Sequence, residues 1–286
     1  MFLRLAILIT CLITPRAVLA WGEEGHVVVA LIAEKHLTPE ARAGIKALLG
    51  DRSIADVRLC TWADLIRGSA VYRRKYDKHD TWHYINIELK VKAAEFVPAE
   101  DNNHVLGAIE RFRKKVIDPS LIEDDRKEAL LFVVHFLGDM HQPLHCGNRD
   151  DDRGGNLQPV KSFLGKPEEK LNLHRVWDTN LVLAERGDLT NEDFAKRLID
   201  EIRDEDRAAW QKGEVKNWIW ESHAIVVDRI YKTSDGVDLP ARDAAPIEFT
   251  DENYVKGNKP IVREQIKKGG IRLAMILNEC WPAKKN

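Results

Sequence analysis

Residues 135 to 145 place three histidines and one aspartate at the end of a stretch that is otherwise apolar. The six residues before them are all apolar, which predicts a helix buried on every side. His135 and Asp139 lie four residues apart on one helix face, and both need partners because an unpaired imidazole or carboxylate is costly in a core. Pro143 should end the helix, so that His145 returns toward that face from a loop. The chain must therefore fold around a buried polar site.

A second pair with the same spacing, His174 and Asp178, lies in another segment with apolar residues at helical spacing. One such pair alone would as readily be a core histidine that is satisfied by a neighbouring carboxylate. Two pairs, together with His145, favour a site that holds more than one metal ion. Imidazole nitrogens and carboxylate oxygens without thiolates suit zinc, and they bind it as neutral imidazole and ionised carboxylate.

The chain has ten histidines, and their surroundings divide them into two groups. Five lie in apolar or aromatic surroundings beside carboxylates and are candidate ligands: His26, His83, His135, His145 and His174. The other five are expected to be exposed, or to hydrogen-bond around a site rather than bind metal: His36, His79, His104, His141 and His223. Asp64 and His83 lie beside tryptophans, which predicts a desolvated cavity wall, although Asp64 alone could equally cap a helix.

The first twenty residues are typical of a cleaved secretory signal, with Arg4, an apolar run and small residues before Trp21. A membrane anchor is the poorer alternative, because the apolar run is about half of the ~20 residues that span a bilayer. Cleavage would leave a domain of residues 21–286, in which 42 lysines and arginines face 46 acidic residues, a formal charge of −4. The expected location is periplasmic or secreted, without membrane association.

Three cysteines remain after the predicted cleavage, Cys60, Cys146 and Cys280. Their number permits one disulfide bond and one free thiol in an oxidising compartment, and the pairing stays open. The lack of an Asn-x-Ser/Thr sequence fits a bacterial periplasmic or secreted protein better than a glycoprotein.

Helical periodicity runs through almost the whole chain. Helices are predicted at residues 27–35, 38–50, 103–116, 125–141, 191–204, 215–231 and 261–277. A short β-hairpin is predicted within residues 156–165, and residues 235–254 should form a long surface loop. These elements predict one all-α domain with a small hairpin.

Several motifs, taken in order along the chain, resemble those of the P1/S1-type zinc-dependent single-strand nuclease family. The matching segments are Trp21-Gly-Glu-Glu-Gly-His26, Thr61-Trp-Ala-Asp64, Trp82-His83-Tyr84, His135 to His145, Gly154-Gly-Asn156 and Asn172 to Asn180. The ordered set is far more specific than any one motif. The resemblance implies a secreted, mostly helical enzyme on the trinuclear zinc scaffold that these nucleases share with phospholipase C.

The resemblance also implies how three zinc ions would be held. The first would bind Asp64, His83, His135 and Asp139. The second would bind His145, His174 and Asp178. The third would bind the α-amino group and carbonyl of Trp21, His26 and the other oxygen of Asp139. Cleavage before Trp21 would then be needed to make a ligand.

By the same resemblance, the enzyme cleaves phosphodiester bonds of single-stranded DNA and RNA to 5′-phosphate products, and it also acts on 3′-nucleotides. The implied nucleophile is a zinc-bound hydroxide, without a protein nucleophile. Tyr84 would stack an unpaired base, Asn180 would contact phosphate, and Asn86 stands where fungal relatives carry a base-contacting aspartate. The expected state is a monomer.

Two other functions share part of this pattern. A zinc-dependent phospholipase C has the same scaffold, but such lipases typically carry glutamate where this chain has Asp178. A non-catalytic periplasmic zinc-binding protein would need closed four-ligand sites, whereas the implied ligand set leaves positions open for water and substrate.

Overall fold

The computed structural model describes residues 21 to 283, so the predicted signal peptide at residues 1–20 lies outside the described part of the chain. The described residues are mainly helical with one small sheet, which confirms the predicted fold class. The α-helices are α1 (Glu23–Lys35), α2 (Pro39–Leu49), α3 (Val57–Cys60), α4 (Trp62–Leu65), α5 (Ala70–Lys75), α6 (Val105–Val116), α7 (Glu123–Asp139), α8 (Leu173–Arg175), α9 (Leu181–Arg186), α10 (Asn191–Asp200), α11 (Asp204–Trp210), α12 (Val215–Ile225) and α13 (Lys256–Cys280).

Other helical turns connect these elements. Short 3-10 turns occur at His79–Thr81, Ala93–Glu95 and Pro143–Cys146, and wider π-helical turns occur at Val176–Asn180, Val226–Ile230 and Asp251–Val255. Among residues 21 to 283, no helix combines the length and the apolar character that a membrane span needs.

The central helix is α7, in which every residue from Ala129 to Asp139 is buried. It packs against α6, α13 and α1, so apolar side chains surround it, as its sequence requires. The helix ends at Asp139, and Pro143 opens a 3-10 turn that carries His145. The predicted end of the helix before His145 is therefore confirmed. His135 on the helix and His145 on the turn are both buried.

The small sheet differs from the predicted hairpin in position and in size. Strands β1 (Val160–Phe163) and β2 (Lys166–Pro167) pair antiparallel around Leu164 and Gly165, both of which have positive φ. A third strand, β3 (Ile247–Phe249), pairs parallel to β1 and comes from the segment predicted as a loop. Such a short strand depends on a distant partner and carries no local periodicity that would reveal it.

The disulfide bond that the cysteine number permits is not confirmed, since the structure has all three described thiols free and buried. Each thiol lies against a different backbone carbonyl. Cys60 Sγ is 3.7 Å from the oxygen of Val57, and Cys146 Sγ is 3.4 Å from that of Met140. Cys280, at the far end of α13, lies 3.6 Å from the oxygen of Arg113. The fold thus keeps each cysteine in a separate packing environment.

Candidate metal centre

The first cluster joins the end of α7 to two earlier segments. Ligand atoms of Asp64, His83 and His135 all lie within 4.8 Å of one another. His83 Nδ1 is 2.9 Å from Asp139 Oδ2, and His135 Nε2 is 3.3 Å from both Asp64 Oδ2 and Asp139 Oδ2. All four side chains are buried, so two imidazoles and two carboxylates share one desolvated space.

The second cluster consists of His145, His174 and Asp178, whose ligand atoms again lie within 4.8 Å of one another. His174 Nε2 is 3.4 Å from Asp178 Oδ2 and 3.2 Å from His145 Nε2. The His-x-x-x-Asp pair therefore meets across one turn, as its spacing predicts. Two imidazole nitrogens at 3.2 Å need a cation or a shared proton between them.

The third cluster brings in the first helix. His26, His135 and Asp139 form the group, and the His26 ring stacks on that of His135 with centroids 4.1 Å apart. His26 Nε2 lies 3.2 Å from Asp139 Oδ1, the oxygen that does not face His83. The two oxygens of Asp139 therefore face different clusters.

The segment before α1 is fixed next to the second cluster. The amide of Gly22 donates to the carbonyl oxygen of Asp178 at 2.7 Å, and the Trp21 side chain is fully buried. A Cβ on Gly25 would lie 2.7 Å from Cβ of Trp21, so only glycine lets the tryptophan pack there. The start of the predicted mature chain thus packs next to the second cluster.

Backbone carbonyls orient three of the imidazoles. Nδ1 of His135 is 2.8 Å from the oxygen of Cys60, Nδ1 of His145 is 2.7 Å from that of His83, and Nδ1 of His174 is 2.6 Å from that of Gly154. An Nδ1–H donating to a carbonyl leaves Nε2 as the acceptor, which is how proteins hold histidines for metal.

The same region contains buried polar atoms without hydrogen-bond partners. They are His26 Nε2, His83 Nε2, both carboxylate oxygens of Asp64, Asp139 Oδ1 and Asp178 Oδ2. Native proteins rarely leave such atoms unsatisfied unless a ligand or an ion completes them. The donor atoms are all nitrogen or oxygen, and a cation would balance the charge of the carboxylates. Such a donor set fits Zn²⁺.

Burial sets the protonation of most of these histidines. Desolvation and the neighbouring His135 lower the pKa of His26 to about 4, and desolvation and His145 lower the pKa of His174 to about 3. Both imidazoles are therefore neutral at pH 7, the form that binds metal. His135 differs: burial would lower its pKa, but the carboxylates of Asp139 and Asp64 outweigh it and raise the pKa to about 9.

The carboxylates are also perturbed, in opposite directions. Burial would raise the pKa of Asp139, but the charge of His135 and hydrogen bonds from three histidines hold it well below its usual value. Burial raises the pKa of Asp178, and the charge of Asp139 adds to this effect. Burial thus disfavours the carboxylate form of Asp178, and a nearby cation would favour it.

Comparison with known proteins identifies the family. The model of the S1/P1 nuclease family matches residues 21–281. The chain belongs to the S1/P1 nuclease family. Endonuclease 1 of Arabidopsis thaliana is 30% identical over 98% of this chain and 93% of its own length. Nuclease P1 of Penicillium citrinum is 28% identical over 91% of this chain and 97% of its own, and Nuclease S1 of Aspergillus oryzae is 27% identical over 90% and 91%.

Family membership confirms the predicted resemblance and the predicted enzyme class. S1/P1 nucleases are zinc-dependent phosphodiesterases, so this chain is a hydrolase that acts on ester bonds. The match over nearly the whole described chain favours a nuclease over the phospholipase C and the non-catalytic zinc protein.

The five histidines that were expected not to bind metal belong to none of the three clusters in this nuclease. Of the two expected alternatives, exposure does not hold for His79, His104, His141 and His223, because all four are buried. They bond to the backbone instead. Nδ1 of His141, for example, is 2.7 Å from the oxygen of Leu137, and Nδ1 of His223 is 2.9 Å from that of Cys146.

The three residues expected to contact substrate are close in sequence to candidate ligands and differ in exposure. Tyr84 follows the ligand candidate His83 and is half-buried, while Asn86 is exposed. Asn180 is half-buried, and its Nδ2 donates to Glu168 at 3.3 Å. Its Oδ1 is buried without a partner.

Two polar residues that the sequence reasoning missed contact the clusters directly. Arg67 Nη1 lies 3.5 Å from Asp64 Oδ1, and the arginine charge also contributes to lowering the pKa of His174. Gln142 Nε2 donates to Asp178 Oδ1 at 2.5 Å, and its Oε1 accepts the amide of Leu144 at 2.7 Å. The spacing Asp64 to Arg67, one helical turn, was a signal that could have found the arginine.

Proposed function

We propose that this chain is an endonuclease that hydrolyses phosphodiester bonds of single-stranded DNA and RNA, leaves 5′-phosphates, and also acts on 3′-nucleotides. The observation that carries the proposal is the position of Asp139, whose two oxygens face two different ligand clusters at the end of the central helix. Family membership supports the reaction class. The clusters of buried nitrogen and oxygen atoms support a centre with several zinc ions.

The ligands we propose follow the clusters. Asp64, His83, His135 and Asp139 would hold one zinc ion. His145, His174 and Asp178 would hold a second. His26, Asp139 and the α-amino group and carbonyl of Trp21 would hold a third. Bound zinc would supply a Lewis acid for the phosphoryl oxygens and would lower the pKa of water toward neutrality.

The side chains of the protein have separate tasks in this proposal. Arg67 is next to the first cluster, and its side chain is 28% exposed, so it can reach a non-bridging oxygen of a phosphate placed there. A planar guanidinium suits that geometry better than an ammonium. Asn180 would donate to the phosphate from the other side, after release of its bond to Glu168.

Single-strand preference would come from Tyr84. This half-buried aromatic follows the ligand candidate His83 directly, so a base that stacks on it brings its own phosphate toward the centre. Stacking is open to every base, but a base inside a duplex is already stacked and paired. The exposed Asn86 would meet the edge of that base.

The N-terminus supports the proposed location and the proposed third zinc site together. We propose that residues 1–20 direct the chain to the periplasm or the medium and are then removed, and that the enzyme works there as a monomer. Intact-mass analysis of the secreted protein should give a chain that starts at Trp21. A start at any other residue would remove the proposed amine ligand.

An activity panel tests the function. The mature protein with zinc should cleave single-stranded DNA, RNA and 3′-mononucleotides, act far more slowly on duplex DNA, and leave phosphatidylcholine intact. Chelation should abolish the activity and zinc should restore it. Full zinc content without hydrolysis of any nucleic acid would refute the proposal, and hydrolysis of phosphatidylcholine would replace it with a phospholipase.

A further inference from the structure

A pocket of about 480 Å³ lies between α6 and the start of α12, and none of its lining residues belongs to the three clusters. Its charged lining comprises three cations and two acids: Arg111, Lys114, Lys216, Glu110 and Glu214. One acid is already paired, since Arg113 Nη2 lies 2.9 Å from Glu110 Oε2. The pocket therefore has an excess of positive charge.

Arg111 is held in place by aromatic rings. Its guanidinium carbon lies 4.5 Å from the ring centre of Trp82 and 5.0 Å from that of Phe112. Such contacts fix the plane of the cation without using its N–H donors. Arg111 is a rigid donor group on the wall of the pocket.

The donors of Arg111 are largely unused. Within residues 21 to 283, Arg111 makes no ion pair or side-chain hydrogen bond, and its Nη2 is buried without a partner. Burial alone lowers the pKa of its guanidinium, without an opposing carboxylate. The half-buried guanidinium of Arg111 therefore has no anionic partner among the described residues.

The pocket is connected to the metal centre through the segment that carries the ligand candidate His83. Trp82, which Arg111 covers, is the residue before His83, and its Nε1 donates to Asn103 Oδ1 at 3.2 Å. The carbonyl oxygen of Tyr84 accepts the amide of Val105, the first residue of α6, at 3.0 Å. A strand with one base on Tyr84 would therefore continue toward this pocket.

We propose that the pocket binds a backbone phosphate of the nucleic-acid strand, at least one nucleotide from the bond that is cleaved, with Arg111 as its anchor. This inference rests on the proposed function. A phosphodiester is the anion that every such substrate carries, and arginine recognises it with paired N–H donors. Lys114 and Lys216 add charge on either side.

The test compares long and short substrates with Arg111→Gln. For a single-stranded 20-mer, KM should rise roughly threefold to tenfold at unchanged kcat. The slope of log KM against log salt should flatten by about 0.7, the value for one lost phosphate contact on a single strand. Hydrolysis of a 3′-mononucleotide, which cannot reach the pocket, should not change.

Lys115→Gln is the matched control. Lys115 is also on α6 and lies over the same ring, with Nζ 5.6 Å from the Phe112 centroid, but it does not line the pocket. Its loss removes one charge from the helix, so an equal rise in KM for both variants would show a general charge effect and would overturn the site. Should Arg111→Gln fail to fold, the double variant Lys114→Gln, Lys216→Gln carries the same expectation.

The remaining outcomes separate this inference from the proposed function. Unchanged KM and salt slope for the 20-mer would overturn the pocket while leaving the nuclease intact. A matching loss on the mononucleotide would place the effect in the metal centre and would also overturn it. If Arg111→Gln weakened the binding of inorganic phosphate and its effect on KM did not depend on strand length, the pocket would be a site for free phosphate. That result would overturn the proposal. A wild-type chain that cleaves no single strand would instead refute the proposed function.

Discussion

His26 Nε2 lies 3.2 Å from Asp139 Oδ1, so the first helix of the described chain and the end of the central helix meet at one carboxylate. The other oxygen of Asp139 is 2.9 Å from His83 Nδ1. In the proposed centre, Asp139 would couple the occupancy of two metal sites. The same contact would make the N-terminal segment part of the proposed metal centre.

Asp139→Asn should therefore remove two zinc ions at once, because an amide is a poor replacement for a carboxylate that serves two cations. We expect zinc per chain, measured after dialysis, to fall by two and nuclease activity to disappear. Asp178→Asn is the matched control and should lose only the zinc of the second cluster. Wild-type zinc content in the Asp139 variant would show that the carboxylate bridges nothing.

Gly138→Ala should disturb the same region by steric means. A Cβ at Gly138 would lie 2.6 Å from His26 Nδ1, so the imidazole must move. Overpacking of this kind costs about 1–3 kcal/mol, and a displaced metal ligand costs roughly 10- to 100-fold in affinity. Thermal unfolding and zinc titration would measure both.

Gly269→Ala is the control variant for Gly138→Ala. Its added Cβ would meet Val29 at 3.4 Å and His141 at 3.5 Å, which are ordinary contacts, so stability and zinc content should stay close to wild type. Equal effects at the two glycines would mean that the His26 contact is not responsible.

Arg67→Gln should lower kcat with zinc content unchanged, because the arginine lies beside the first cluster without being a candidate ligand. Loss of one donor to a phosphate in the transition state costs on the order of 10²-fold in rate. Arg67→Lys should recover only part of this, since the fork geometry is lost. Arg74→Gln, an exposed arginine on α5, should keep wild-type kcat. Retained kcat in Arg67→Gln would remove the arginine from the mechanism.

Much of the candidate centre follows from local spacing. His135 with Asp139, and His174 with Asp178, are pairs one turn apart, and one turn is a distance that the sequence fixes once the segment is helical. Contacts of Arg67 and Gln142 with the clusters depend on side-chain direction and on packing between elements. The orienting carbonyls, such as that of Gly154 for His174, come from a loop and have no sequence pattern.

The fold shows the same division. Long amphipathic or apolar segments such as α6 and α7 were predicted, because their period reports which face is buried. The helices α3 and α4 have four residues each and are too short to show a period. Helix α13 begins at Lys256, five residues before the predicted start, and it continues through Pro260.

His104, which lies outside the three clusters, should make the stability of the protein depend on pH. His104 caps α6: its Nδ1 accepts the amide of Gly107 at 3.2 Å, and its side chain is buried. Burial lowers the pKa of His104 from its usual 6.5, and nearby Arg111 also lowers it, while Asp101 opposes them. The neutral form is thus the one that the fold retains.

Below pH 6.5 the unfolded chain binds a proton at His104 that the folded chain resists, so this residue makes stability fall as the pH drops from 7 toward 5. His104→Asn keeps an N-cap acceptor but does not titrate. Urea unfolding of zinc-loaded protein at pH 7 and pH 5 should therefore show a smaller loss of stability in His104→Asn than in wild type. Because the metal centre is the same in both proteins, an equal loss would mean that the folded and unfolded chains bind a proton at His104 equally well.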